Sequence, residues 1–280
     1  MEVESTMRSF VYKKLDWQAF LLKILLLSFA FIFIIGPLSS LMIWSLAREW
    51  FWPNSLPTVW GLYYWERALT GDIIQSFILS FWLAIAVTVI CLVITVPVAY
   101  LIARRKLPMQ AVFMAIFLIP QAFPQLPVYT NTMTLMYKWN LVGTVSGVLL
   151  IQLVGAIVYS VWTLVSVFRN IQPYMEEASF ILGAGALKTF FKISLPMALP
   201  GIISAGLLVF LFALDEFTGS LLIGAPFIVT APIYMYNAAN GYEMQIASVI
   251  AIILMLPGML FLGLLQRYMK SEYLAAFGRL

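Results

Sequence analysis

The sequence predicts an all-α membrane protein built from six transmembrane helices. Three observations lead there. The composition is 63% hydrophobic and only 10% charged, whereas a soluble domain carries roughly 25% charged residues. Most of this surface therefore faces hydrocarbon. Six apolar stretches approach the ~20 residues that a helix needs to cross a ~30 Å core. The basic residues are also distributed unevenly among the segments between those stretches.

The first span is 19–46. Its apolar run exceeds the ~7–15 residues of a signal-peptide core and no small-residue cleavage site follows, so it reads as a retained span. The next segment is crowded with aromatics: Trp50, Phe51, Trp52, Trp60, Tyr63, Tyr64 and Trp65. Such rings favour the headgroup level, and the segment is read as lying along the outer face; a docking role is the alternative. The second span is 76–103 and the third 111–128. Pro120, Pro124 and Pro127 interrupt the third, which cannot keep an unbroken hydrogen-bond ladder. Freed carbonyls are tolerated only inside protein or beside a water-filled cavity, so this span is expected to line the bundle interior. The remaining spans are 144–168, 200–224 and 245–266. Pro97 and Pro257–Gly258 either kink the second and sixth spans or simply serve packing.

Orientation follows from Lys and Arg. Of the sixteen, only Arg48, Arg67 and Lys138 fall on one side if the N-terminus is cytoplasmic; the other thirteen, among them Arg8, Lys13, Arg104, Arg105, Lys106, Arg169, Lys270 and Arg279, fall on the other. The expected organisation is a cytoplasmic segment 1–18, a six-helix domain 19–266 with its longest cytoplasmic loop at 169–199, and a cytoplasmic tail 267–280. This is a multi-pass protein of the cell (inner) membrane in contact with lipid, and its net charge of +4 reports topology, not nucleic-acid binding. There is no histidine and one cysteine, Cys91, within an apolar stretch. That excludes disulfides, Cys/His zinc sites and imidazole catalysis, and no cofactor or metal is expected.

The 172–196 loop carries the most information. Pro173 opens a helix, and Glu176 and Glu177 in its first turns complement the helix dipole. Gly183 and Gly185 permit a sharp turn, Leu187 to Ile193 form a second short amphipathic run, and Pro196 and Pro200 punctuate the start of span five. Two short helices about a glycine break are unnecessary for lipid insertion and suit a protein partner. Gly183-Ala-Gly-Ala-Leu-Lys188-Thr189 superficially looks like a phosphate-binding loop, but that motif needs glycine directly before the lysine, where Leu187 stands. The chain is expected to hydrolyse no ATP and to be no enzyme.

Here the sequence resembles the permease subunits of binding-protein-dependent type I ABC importers, the MetI-like family. These carry Glu-Ala-Ala, three residues, Gly, nine residues, Ile, one residue, Leu-Pro. This chain has Glu177-Ala178-Ser179, Gly183, Ile193 and Leu195-Pro196 at that spacing, with Ser179 in place of alanine and Leu182 where many relatives have an acid. The resemblance extends over about 76–266. It implies that the loop is a coupling helix seated in a cytoplasmic ATPase subunit, with charged contacts from Glu176 and Glu177 and close backbone approach at Gly183. It further implies two ATP-binding subunits, a second permease subunit, identical or homologous, and an extracytoplasmic solute-binding protein.

Asp215-Glu216 inside span five is the second anomaly, since an intramembrane acid costs on the order of 2.5–3.5 kcal/mol and normally faces a cavity or partner. Counting from Pro200 at ~1.5 Å per residue puts Asp215 about 22 Å in. Neighbours on a helix diverge by ~100°, so one of the two is expected to face the pathway, with Asp215 preferred; the alternative is a helix–helix hydrogen bond. Gln121, Asn131, Gln152 and Tyr159 are further polar candidates. The Asp-Glu-Phe segment followed by Gly-Ala-Pro looks like the spermidine/putrescine branch, which includes opine and phosphonate permeases; a sugar permease is the alternative. An ion-driven secondary transporter needs repeated halves, which are not seen. A membrane enzyme lacks the paired catalytic groups it would need.

Overall fold

The computed structural model describes residues 2–51, 53–104 and 109–269, with side-chain detail from 17 to 263 apart from positions 18, 262 and several in 110–121. Long apolar runs form long helices because in hydrocarbon each backbone N–H and C=O must be satisfied within its own segment. The first is α1 (Glu2–Leu46), continuous through the described part, 2–18, of the expected cytoplasmic segment. An antiparallel pair, β1 (Ala47–Glu49) and β2 (Val59–Trp60), follows with Ala47 opposite Trp60. Then come α2 (Tyr63–Ala68) and α3 (Gly71–Arg104).

The third expected span is two helices, α4 (Gln110–Ala122) and α5 (Gln125–Lys138). The break has a local cause. Phe123 precedes Pro124 and adopts φ −101°, ψ 151°, the extended geometry that a following proline imposes. Five helical stretches among the described residues, rather than six, are individually long and apolar enough to cross a membrane. Pro97 and Pro257, by contrast, lie inside unbroken helices.

α6 (Val145–Asn170) is capped by the Thr144 hydroxyl, which accepts from the Gly147 N–H at 3.0 Å. After it come α7 (Tyr174–Ile181), α8 (Ala186–Thr189), a π-helical turn Phe190–Ser194 and α9 (Leu195–Asp215). The expected punctuation at Pro196 and Pro200 is absent, because α8, the π turn and α9 run on as one stretch. The wide turn ends at Ser194, two residues before Pro196, whose nitrogen has no hydrogen to give to the ladder. Span five also ends at Asp215, short of the expected Gly224; 218–224 is a separate helix, α10 (Thr218–Gly224). α11 (Ala231–Asn240) and α12 (Met244–Met269) complete the chain. Arg105, Lys106, Lys270, Arg279 and all but the first residues of the 267–280 tail lie outside the described residues.

The core is the three-helix contact of α3, α6 and α9. At one end Ala99 and Ile102 meet Leu164, Phe168 and Ala198; further along, Ala84, Val87 and Cys91 meet Ala156, Val209 and Ala213. Small residues bring the backbones together. A Cβ added at Gly201 would collide with Val167, and one at Gly155 with the Phe212 ring. Thr95 and Ser160 hydroxyls, 2.6 Å apart, join α3 to α6 within this core. α1 packs along α12 with its span window otherwise exposed. The aromatic segment leaves Phe51, Trp60 and Tyr63 exposed, while Trp44 stacks on Trp50 at 4.1 Å; Trp52 lies outside the described residues.

Candidate functional site

Two regions at opposite ends of α9 gather the residues singled out from sequence. At its start, α6 ends at Asn170, α7 runs eight residues, and Gly183 takes φ +79° to close it. The Gly183 N–H donates to Phe180 O at 2.9 Å and the Ala184 N–H to Ser179 O at 3.0 Å, the pattern of a left-handed helix stop. A Cβ at Gly183 would meet nothing within 4 Å. Within this chain, then, the residue serves the turn and not a close approach.

Glu176 and Glu177 do not act alike. Glu177 is exposed, as is Ala178. Glu176 is buried: its carboxylate accepts from Arg104 Nε at 2.8 Å, Ser194 Oγ at 2.8 Å and Tyr100 OH at 3.3 Å. The expected outward contact from Glu176 is therefore corrected. Successive helical positions differ by ~100°, and here one acid faces the bundle and the other faces out. Ser179 is also buried, its hydroxyl 3.0 Å from that of Thr189 on α8. Ile193 and Leu195 are half-buried and Pro196 exposed. Beside the exposed Glu177 and Lys188, the outward surface of the two short helices presents large apolar side chains: Ile181 and Leu182 are 85% and 86% exposed and Leu187 75%. Their exposure is the added finding: the sequence marks Leu182 as a departure from the family's acid and Leu187 as the start of an amphipathic run, and apolar positions exposed in a non-spanning loop are a signal of their own.

At the other end of α9, Asp215 and Glu216 separate for a backbone reason. Asp215 is the last helical residue, and Glu216 turns out of the helix with ψ 115°. Its buried carboxylate accepts from the Gly219 N–H at 2.7 Å, the Ser220 N–H at 2.9 Å and Ser220 Oγ at 2.6 Å. It thus satisfies free N–H groups at the start of α10. Ser220 Oγ in turn accepts from Gln152 Nε2 at 3.0 Å. Gln152 is fully buried behind this cap and lines none of the cavities around Asp215, contrary to expectation.

Asp215 is exposed and borders three cavities of about 360, 470 and 490 Å³. It is the end of the helix, not its middle, that presents it. Tyr159 lines the second cavity and packs on Phe212 at 5.0 Å between ring centres. The structure adds Gln125 and Tyr129 to this wall, both from α5, which the break at Pro124 redirects. Asn131, exposed, bonds back to Pro127 O at 2.9 Å, and the side chain of Gln121 lies outside the described ones. Among the described residues no lysine or arginine lines these three cavities, and no group of His, Cys, Asp or Glu is arranged to hold a metal ion.

Residues 95–273, spanning both regions, match the family described as binding-protein-dependent transport system inner membrane component. The trehalose transport system permease protein SugB of Mycobacterium tuberculosis is 28% identical over 70% of this chain and 74% of its own length. The sulfoquinovosyl glycerol permease SmoH of Agrobacterium fabrum is 26% identical over 69% and 68%, and the molybdate/tungstate permease WtpB of Pyrococcus abyssi 27% over 65% and 73%. None of these is a polyamine, opine or phosphonate permease. A chain of a bacterial ABC transporter that imports the acidic polysaccharide alginate shares the fold, with TM-score 0.67, 18% identity, and coverage of 89% of this chain and 95% of that one. With well over half of its length matched, the chain belongs to the inner-membrane components of binding-protein-dependent transport systems, the permease subunits of ABC importers.

Proposed function

We propose that this chain is one of two facing permease subunits in a carbohydrate importer, docked to a cytoplasmic ATPase through the outer surface of α7 and α8. The observation that carries the docking reading is the exposed Ile181–Leu182 tip, held beyond the bundle by a glycine stop at the family's spacing. A helix fixed to spanning helices on both sides converts movement of a motor protein into rotation of those spans. Glu177, Ala178 and Gly183 belong to this surface, buried Ser179 and half-buried Ile193 and Leu195 support it from behind, and exposed Pro196 lies at the start of α9. Both termini lie in the cytoplasm, ATP is hydrolysed by two partner subunits, and a solute-binding protein delivers solute at the other face.

The carbohydrate reading replaces the polyamine, opine or phosphonate expectation. It draws on relatives named for trehalose and for sulfoquinovosyl glycerol, and on the chemistry beside Asp215. An accepting carboxylate, the amide of Gln125 and the rings of Tyr129, Tyr159 and Phe212 suit hydroxyl groups and the apolar faces of a sugar. An oxyanion such as the one WtpB is named for would meet a carboxylate and no cation there.

Ile181→Asp tests the docking, since Ile181 is 85% exposed at the same tip. Co-purification with the ATP-binding subunit should be lost while the permease remains folded in detergent; retention of the complex at wild-type yield contradicts the docking reading. Uptake of labelled disaccharide in cells expressing the full system tests the solute class, and inhibition by polyamine but by no sugar contradicts it.

A further inference from the structure

We propose that the buried ion pair between Arg104 and Glu176 is the linkage that makes the docking helix and the core spans move as one body. Arg104 is the last residue of α3 and Glu176 lies in the first turn of α7. Their side chains are 14% and 7% exposed. The Arg104 fork makes two contacts: Nε donates to Glu176 Oε1 at 2.8 Å and Nη2 to the carbonyl of Ile171, at the end of α6, at 3.0 Å. Glu176 Oε1 also accepts from Ser194 Oγ at 2.8 Å, at the junction with α9, and Oε2 from Tyr100 of α3 at 3.3 Å. One guanidinium and one carboxylate thus gather the ends of α3, α6, α7 and α9 at a single point.

The chemistry of that point favours rigidity. A planar guanidinium held at two of its nitrogens, one by a carboxylate and one by a backbone carbonyl, is fixed in direction as well as distance. Glu176 is buried and Arg104 only 14% exposed, so breaking one element away leaves a largely buried charge unpaired. α7 has eight residues between two turns, and without this anchor it would pivot on Pro173 and Gly183. Anchored, any displacement of its tip must carry α3, α6 and α9 with it, including Asp215 at the far end of α9. Arg104 and Glu176 are positioning residues, acting through the helices they join. The transport half of this inference rests on the proposed function; the mechanical half does not.

The test uses spin labels at Leu101→Cys on α3 and Leu182→Cys at the tip of α7, both exposed, in a Cys91→Ser background. Glu176→Gln, and the matched pair Arg104→Gln with Glu176→Gln, which removes both charges together and so avoids a lone buried charge, are compared with the parent by double electron–electron resonance. The parent should give one narrow distance distribution and both variants a distribution at least twofold broader. An unchanged distribution overturns the linkage. The same variants, without labels, are then assayed with the ATP-binding and solute-binding subunits for solute imported per ATP hydrolysed, where a fall of about tenfold with hydrolysis retained is expected. Broadening with an unchanged ratio overturns the transmission role. Failure of the parent chain to bind any ATPase sinks the proposed function and leaves the distance result standing.

Discussion

Ser179 and Thr189 meet across the glycine turn, hydroxyl to hydroxyl at 3.0 Å, both buried. Ser179 is the one position of the Glu-Ala-Ala group at which this chain departs from its relatives' pattern, and the structure gives the departure a partner. Ser179→Ala leaves the Thr189 hydroxyl without this contact, at an expected cost of about 1–3 kcal/mol. Ser179→Ala combined with Thr189→Val, apolar on both sides, should recover most of that loss. Thermal unfolding of the purified protein in detergent checks both; a double variant less stable than the single would contradict the pairing.

Gly183 holds φ +79° with open space around it. The cost of Gly183→Ala is therefore conformational, about 1–2 kcal/mol for a left-handed L-residue. Gly183→Trp should cost about as much in stability as Gly183→Ala, since its Cβ meets nothing within 4 Å and Gly183 is exposed, yet should weaken capture of the ATP-binding subunit much further. Equal capture by both variants would argue that the glycine serves only the turn.

Asp215 and Glu216 should separate in function as they do in space. Glu216→Gln disturbs three hydrogen bonds at a buried helix start, so a loss of about 2–4 kcal/mol is expected. Asp215→Asn, at the junction of the cavities, should leave the melting temperature within a degree or two and lower uptake at least tenfold. Measuring melting and uptake on the same preparations distinguishes the two, and a reversed pattern would assign the pathway role to the wrong carboxylate.

Gly201 sits against Val167 with no room for a side chain. Gly201→Leu should force α6 and α9 apart at a cost of about 1–3 kcal/mol or more. Gly258→Ala is the control, because its Cβ would make ordinary contact with Leu211 at 3.7 Å. The pair is compared by folded yield after extraction, and equal yields would count against the close packing of these spans.

Much of this was legible in the residues because it depends on local chemistry. Composition and span length fixed the helical membrane class, and the 177–196 spacing anticipated a short helix, a glycine turn and a second short helix. What escaped depends on distant partners or on the path of the backbone. Nothing near Glu176 reveals that Arg104, 72 positions earlier, turns it inward while Glu177 stays outside. The expected span five runs through to Gly224, and only the capping of α10 by Glu216 reveals that the helix has already ended. The prolines of 111–128 signal irregular backbone, but that the break delivers Gln125 and Tyr129 to the wall beside Asp215 depends on the path of α5.

The most direct test of the account is chemical access to Leu182. With Leu182→Cys in a Cys91→Ser background, a membrane-impermeant maleimide is applied to inside-out and right-side-out vesicles, with and without the bound ATP-binding subunit. The account predicts labelling in inside-out vesicles alone, and protection there when the subunit is bound. Labelling from the exterior, or full labelling in the presence of the subunit, would contradict it.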